Sequence, residues 1–386
     1  MDAGELQALT EKVVAEHAQH DEVTFLGALF DAGLAWVHWP VGEGGLGLEP
    51  GMQDVIDTVL DAAGRRPDWL RNAMGIGMVG PAIAQCGRPD QRQRHLRPIY
   101  TAEEIWCQLF SEPGAGSDVA TLATRAVRDG DEWIVNGQKV CTSAAHLSSF
   151  GLLVARTDPD VPKHKGLTAF IVDMHAPGVE VRPLRQMSGT AHFNEVYFTD
   201  ARVPDSQRVG EVNEGWRVAV TTLANERVSI GGNVDPKGGG PIAVAMASWR
   251  EHGGNAVARD ALMRLWIEAE VLRLGKLRAQ AKREQGTPGP EGSLLKLADS
   301  LLTQRIRELA VDLKGAAGML LPPGGYDTAR IDTNDAVLDF LASPGLTIAG
   351  GTPEIQRNII GERILGLPAE PRTDRDLAWR DIPRGA

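Results

Sequence analysis

The spacing of hydrophobic residues changes twice along this chain, and that change restricts the fold more than any single motif. From Gly4 to Tyr100 apolar residues recur every three or four positions, most clearly in Leu6–Ala15, Phe25–Ala35 and Met52–Ala63, which is helical spacing. Near Ile105 β-rich segments begin: Thr124–Val127, Glu132–Val135, Gly137–Val140, Gly151–Arg156, Leu167–Val172, Val179–Pro183 and Glu195–Phe198. Asp129-Gly130 and Asn136-Gly137 read as tight turns, because Gly and Asn tolerate positive φ. Helical spacing returns after Gly215, through Trp216–Ile230, Ala258–Gln285, Leu294–Leu313 and Glu354–Leu365. It is broken by a Gly-rich stretch, Gly231–Pro241, and by a linker, Gly286–Gly292. At 386 residues the chain exceeds the length at which single cores stop growing. The expected architecture is multidomain α+β, with an N-terminal helical domain over 1–104, a middle β domain over 105–213 and a C-terminal helical domain over 214–386.

Composition removes several function classes. A net charge of −11 without a basic stripe argues against nucleic acid, whose phosphates need clustered Lys and Arg. The densest basic stretch, Arg264–Arg283, interleaves Glu268 and Glu270 at helical spacing and reads as a solvated helix face. Cys86, Cys107 and Cys141 form no CxxC pair and are odd in number, which fits a reducing cytoplasm. The acidic start MDAGELQALTEKVV does not resemble a signal peptide, and no apolar run approaches the roughly 20 residues of a membrane span. The nine histidines include no HExxH, and His17 and His20 have no acidic or thiol partner at ligand spacing, so no metal is expected. No GxSxG elbow is present.

Four features could carry chemistry. Gly42–Gly47, GEGGLG, matches GxGxxG but lies between Pro40 and Pro50 without a strand-helix-strand unit, and reads as a surface turn. SEPGAGSD, Ser111–Asp118, has two glycines for close backbone approach and two hydroxyls, so it is either a cofactor cradle or a plain loop. In Ala349–Pro368, Thr352 is a helix N-cap, Pro353 the first helical residue and Glu354 a first-turn acid, while Gly366 and Pro368 end the helix. That helix start, preceded by Gly350 and Gly351, could receive an anion or be only a capped helix. Glu226 shares a helix face with Ala219, Thr222, Leu223 and Ile230, where a carboxylate is either ion-paired or made into a base by desolvation.

Together, the helix-sheet-helix order, SEPGAGSD, the VNGQKV segment and GGTPEIQRNIIGERILGLP resemble the acyl-CoA dehydrogenase family along nearly the whole chain. The resemblance implies a β-barrel-like middle domain, a C-terminal four-helix bundle, and FAD between them. It implies that Gln108, Phe110, Ser111, Gly116, Ser117, Cys141, Ser143, Thr352 and Glu354 face the cofactor, and that Ser117 and Arg227 also meet substrate. Family members carry the catalytic glutamate either just before the GT of the tail, where this chain has Gly350, or on the first helix of the last domain, where it has Glu226. The second placement resembles isovaleryl-CoA and long-chain dehydrogenases.

The implied reaction is α,β-dehydrogenation of an acyl-CoA to the trans-2-enoyl thioester. Glu226 takes the α-proton, the β-hydride passes to flavin N5, and the Gly350 amide helps to hold the thioester oxygen. The usual acceptor in the family is an electron-transfer flavoprotein. Two other readings stay open, a non-catalytic partner subunit and a flavin oxidase on the same fold.

The chain departs from the family's pattern at three places. Cys141 stands where an aromatic residue, usually Trp, packs on the flavin, a loss of about 0.5–1.5 kcal/mol. An Arg-x-x-Phe-Gly that reaches a neighbouring subunit's FAD is Arg250-Glu251-His252-Gly253-Gly254 here. A Gln-x-x-Gly-Gly-x-Gly with the same task begins at Asp312 and continues through Gly315 to Gly318. A carboxylate near pyrophosphate is unfavourable, so the expectation is an α2β2 heterotetramer with a homologous subunit, beside a homotetramer. The Gly231–Pro241 break predicts a roomier acyl pocket than straight-chain enzymes have.

Overall fold

A computed structural model describes residues 1–231, 234–284, 291–321 and 335–383. The chain divides into two compact units, each considered by itself. One comprises Met1–Arg182, Asn194–Asn225 and Thr373–Ala386, and the other Pro183–Phe193 and Glu226–Arg372.

The first unit opens with helices α1 (Ala3–Glu16), α2 (Glu22–Asp31), α3 (Gln53–Ala62), α4 (Gly80–Cys86) and α5 (Pro89–Thr101). Local chemistry starts them: Asp2 and Glu5 form a reciprocal capping box on α1, and Asp21 accepts from the Thr24 amide at the head of α2. GEGGLG turns, with Gly42, Gly44 and Gly47 at positive φ, but it is not wholly at the surface as its sequence suggests: Gly42 and Gly47 are exposed, whereas Gly44 and Gly45 are buried against Phe30 and the Trp36 and Trp39 carbonyls.

Eight strands follow: β1 (Trp106–Leu109), β2 (Arg125–Asp129), β3 (Glu132–Ser143), β4 (Phe150–Arg156), β5 (Leu167–Asp173), β6 (Val179–Pro183), β7 (Phe193–Pro204) and β8 (Arg208–Val209). They form one mixed sheet, open in its order β6-β7-β3-β2-β4-β5-β8, with β1 parallel to β4. Strands β4 and β5 are buried on both faces, which is why they read as continuous apolar runs. Their alternation separates two cores. Leu152, Val154 and Ile171 pack with the helical Leu6, Phe25, Leu29 and Leu96, whereas Leu153, Phe170 and Val172 pack with Trp133, Val135 and Val196. The expected N-terminal helical segment and the sheet therefore share one core.

The Asp129-Gly130 turn forms as expected, closing β2 on β3 with Gly130 at φ 61. Asn136-Gly137 does not turn. It lies inside the continuous strand β3, where the Asn136 amide bonds Asp200 at 2.9 Å and accepts from the Asp200 amide at 3.0 Å. Gly137 is needed there for close approach, since a Cβ would meet the Thr124 hydroxyl at 2.5 Å and its Cα at 2.7 Å.

Helix α6 (Gly215–Gly231) leads into the second unit at Glu226, followed by α7 (Pro241–His252), α8 (Ala256–Glu284), α9 (Glu291–Asp312), α10 (Ala336–Ala342) and α11 (Pro353–Ile359). Their core holds Ile242, Ala245, Leu262, Leu265, Leu302 and Ile306. Glu291 and Gly292, expected in the linker, open α9 instead, and the rest of that linker lies outside the described residues. Within the Gly231–Pro241 break, Gly232 and Asn233 also lie outside them. Among the described residues no helix is long and apolar enough to cross a membrane, and no His, Cys, Asp and Glu cluster could hold a metal.

Candidate active site

In the first unit, β1 delivers Gln108, and Phe110, 2 % exposed, leads into the SEPGAGSD loop. Glu112 and Ala115 exchange two N–H···O bonds of 3.0 Å, which closes the loop around Pro113 and Gly114. The Val140 amide donates to the Ser111 carbonyl at 2.9 Å, so β3 brings Cys141 and Ser143 alongside. Nothing lies within 4 Å of where a Cβ would stand at Gly114 or Gly116, and both glycines are exposed.

The loop is held from beneath by a pair that sequence reasoning missed. Lys139 is fully buried, and its Nζ donates to Glu112 at 2.8 Å, to the Phe110 carbonyl at 3.0 Å and to the Val154 carbonyl at 2.9 Å. The Glu112 carboxylate also accepts from the amides of Ala123 and Thr124, at 2.6 and 2.9 Å. Burial pushes Lys139 down to about 8 despite Glu112. Burial also acts against Glu112, but Lys139 and the donors around it outweigh that and hold its carboxyl below the ordinary range. Both ions are desolvated; the pair holds from the carboxylate side, where two amides add to the ammonium. One signal was available: Lys139 has the same parity on β3 as the buried Trp133 and Val135.

The remaining hydroxyls are uncommitted. Ser117 is exposed, Ser111 and Ser143 are half-buried, and none of the three side chains is hydrogen-bonded among the described residues. The buried Gln108 Oε1 likewise has no partner. Cys141 is exposed, with its backbone in the left-handed region at φ 56, and offers no flat ring.

In the second unit Glu226 is half-buried on α6. Its negative charge acts on Lys296, which is 2 % exposed; burial lowers the lysine's pKa while Glu226 and Asp299 oppose that. The same ammonium donates to the Leu346 carbonyl at 2.9 Å, in the turn Ser343–Thr347 that runs into Gly350. Lys296 thus feels the charge of Glu226 and bonds the turn that precedes Gly350. Gly350 and Gly351 both have positive φ, and the fully buried Gln356 donates to their carbonyls at 2.8 and 3.4 Å. The helix start is as read from sequence. Thr352 caps α11 by accepting from the Ile355 amide at 3.4 Å, Pro353 is its first residue, and Glu354 is exposed in its first turn. Arg250 is exposed in the last turn of α7, Asp312 is exposed at the end of α9, and Gly315 opens a short helical turn at φ 56. The side chain of Arg227 lies outside the described residues.

The chain is similar to known proteins over most of its length. The family model for the acyl-CoA dehydrogenase middle domain matches residues 107–201, and that for the C-terminal domain matches 213–365. Acyl-CoA dehydrogenase FadE34 of Mycobacterium tuberculosis is 41% identical over 374 residues, covering 95% of this chain and 50% of that protein. The chain therefore spans about half of that relative's length. Acyl-CoA dehydrogenase IpdE1 of Mycobacterium tuberculosis is 38% identical, covering 88% of this chain and 86% of that protein. Among solved structures, the steroid acyl-CoA dehydrogenase Tcur3481-Tcur3483 aligns with a TM-score of 0.73 at 27% identity, covering 96% of this chain and 94% of that one. The ChsE4-ChsE5 complex of Mycobacterium tuberculosis aligns at 0.70 and 29% identity, covering 95% and 96%.

Proposed function

Because the chain belongs to the acyl-CoA dehydrogenase family, we propose that it catalyses FAD-dependent α,β-dehydrogenation of an acyl-CoA thioester, with Glu226 as the base that takes the α-proton. One observation carries this reading: Glu226 is a half-buried carboxylate beside a buried lysine that favours its ionised form, while Gly350 has no side chain with which to compete. A partly buried carboxylate close to a cation has the chemistry of a proton acceptor.

The residues present suit FAD. Ser111, Ser117, Ser143 and Gln108 Oε1 offer uncommitted polar atoms beside an open glycine backbone, as the polar edge of a flat cofactor requires. Thr352 and Glu354 belong to the same proposal in the second unit. Bound FAD supplies the acceptor for the β-hydride. Glu226 removes the proton, the Gly350 amide stabilises charge on the thioester oxygen, and Ser117 and Arg227 meet the substrate.

Relatives named for steroid chemistry favour a bulky, ring-bearing acyl group. A solved relative titled as a complex, together with an exposed Asp312 at a position meant to serve a neighbour's FAD, favours a heteromer with a homologous subunit. The proposed acceptor is the one usual in the family, an electron-transfer flavoprotein.

The test is anaerobic bleaching of flavin by a panel of acyl-CoAs, with the chain alone and with a homologous subunit. Bulky cyclic thioesters should bleach faster than butyryl-CoA. Glu226→Gln should slow bleaching by roughly 10²–10⁴-fold while FAD stays bound. Wild-type bleaching by Glu226→Gln would remove the base assignment, and an unaltered flavin with every thioester would favour a non-catalytic subunit.

A further inference from the structure

The segment after α11 returns to the first unit and is clipped onto its sheet connections. The Trp379 amide donates to the Val161 carbonyl at 2.9 Å and the Arg380 amide to the Pro159 carbonyl at 3.1 Å, while Pro162 and Ala378 form a β-bridge. Its side chains reach the downstream end of SEPGAGSD. Lys163, 8% exposed, donates to Asp118 at 2.7 Å and to Asp374 at 2.5 Å, so one buried ammonium ties the last residue of the loop to the tail. That ammonium holds the Asp374 carboxyl below its ordinary range.

Three carbonyls just downstream, those of Ala120, Thr121 and Leu122, are tied up in the same way. The Trp379 indole donates to Thr121 at 3.0 Å. Arg156, 3% exposed, donates to Ala120 at 2.6 Å, to Leu122 at 3.4 Å and to the Lys163 carbonyl at 2.7 Å. Its guanidinium carbon sits 4.8 Å from the centre of the Trp379 ring, which covers a charge that would otherwise face water. The loop is thus fastened at two ends: Glu112 and Lys139 hold its start, and the tail, directly or through Lys163 and Arg156, holds its finish. Between them the Glu112–Ala115 bonds close the turn at Gly114, and Gly116 adds no side chain to hold the rest, so the fastenings at the two ends help to set its shape.

We propose that Thr373–Pro383 is a latch that holds the SEPGAGSD loop in its ligand-receiving shape, with Asp374 and Trp379 as positioning residues. The assignment rests on the reading of this loop as flavin-facing.

The test uses the full chain and three variants. Asp374→Asn removes the tail's charge on Lys163, Trp379→Phe keeps a ring over Arg156 but drops the indole donor, and Arg375→Ala, exposed and with no side-chain hydrogen bond or ion pair among the described residues, is the control. Hydrogen exchange of peptides spanning 111–124 is followed without added ligand, and FAD release is followed separately. Asp374→Asn and Trp379→Phe should each speed exchange in 111–124 by about tenfold, with the rest of the sheet unchanged, as expected for losing one hydrogen bond to a charged or buried group. FAD release should accelerate in parallel, while Arg375→Ala stays within about twofold of the parent. Unchanged exchange in both variants overturns the latch. Faster exchange with unaltered FAD release leaves the latch standing and overturns the flavin-facing reading of the loop.

Discussion

Two buried lysines each stand behind a proposed functional residue, and their energetics differ. Lys139 and Glu112 form a pair with almost no solvent contact, so removing one charge strands the other. Glu112→Gln should cost about 3–5 kcal/mol, read as a lower urea midpoint at neutral pH. The pair also sets an acid limit. The Glu112 carboxyl sits below its ordinary value of 4.5 in the folded chain, so its stabilisation is complete above that pH and is lost as pH falls through the lower folded value. Stability should therefore drop below pH 4.5, and in Glu112→Gln that part of the slope should vanish. Lys296 acts electrostatically on Glu226. Lys296→Met removes the cation that favours the ionised base, so the acid limb of the bleaching rate should move to higher pH. An unmoved limb with slower turnover at every pH would make Lys296 a packing residue only.

At the scale of elements, Gly137 shows where sequence reading stopped. Asn-Gly is a turn signal because both residues tolerate positive φ, and Gly137 does adopt φ 151. The same conformational freedom serves a strand that Thr124 approaches too closely for any Cβ. Gly137→Ala should lower the denaturation midpoint by about 1–3 kcal/mol through strain and overpacking. An unchanged midpoint would mean that β3 shifts away from Thr124 at no cost. Elsewhere the pattern was legible wherever periodicity ran long, as in α1, α3, α6, α8 and α9, or where chemistry marks an end, as at Thr352-Pro353. It failed for β1, four residues too short and too buried to alternate, and for α7, hidden between Gly240 and Gly253. Glycines and hydroxyls of the proposed site were visible because they recur as a motif. Lys139, Lys163 and Arg156 were not, because only tertiary pairing shows which charges are buried.

At the scale of the whole molecule, α8 is apolar on two sides. Leu262 and Leu265 pack into the core of the second unit, whereas Ile267, Val271 and Leu274, spaced four and three residues apart, are 57%, 64% and 54% exposed. A helix apolar on opposite faces is normally covered on both, and an uncovered stripe of this kind marks an association surface. Arg264 and Arg273 beside it are paired with Asp260 and Glu270, the first pair being exposed, so the apolar stripe runs next to a solvated charged edge. The occupant proposed for it is the homologous subunit of the heteromer proposed above. Val271→Asp with Leu274→Asp would place two carboxylates in that contact, and association should weaken by at least on the order of thirtyfold. Sedimentation of the mixed subunits should then show a smaller species, while circular dichroism of the variant matches that of the parent because neither side chain is in the core. An assembly of unchanged mass would show that α8 faces solvent and that the subunits meet elsewhere.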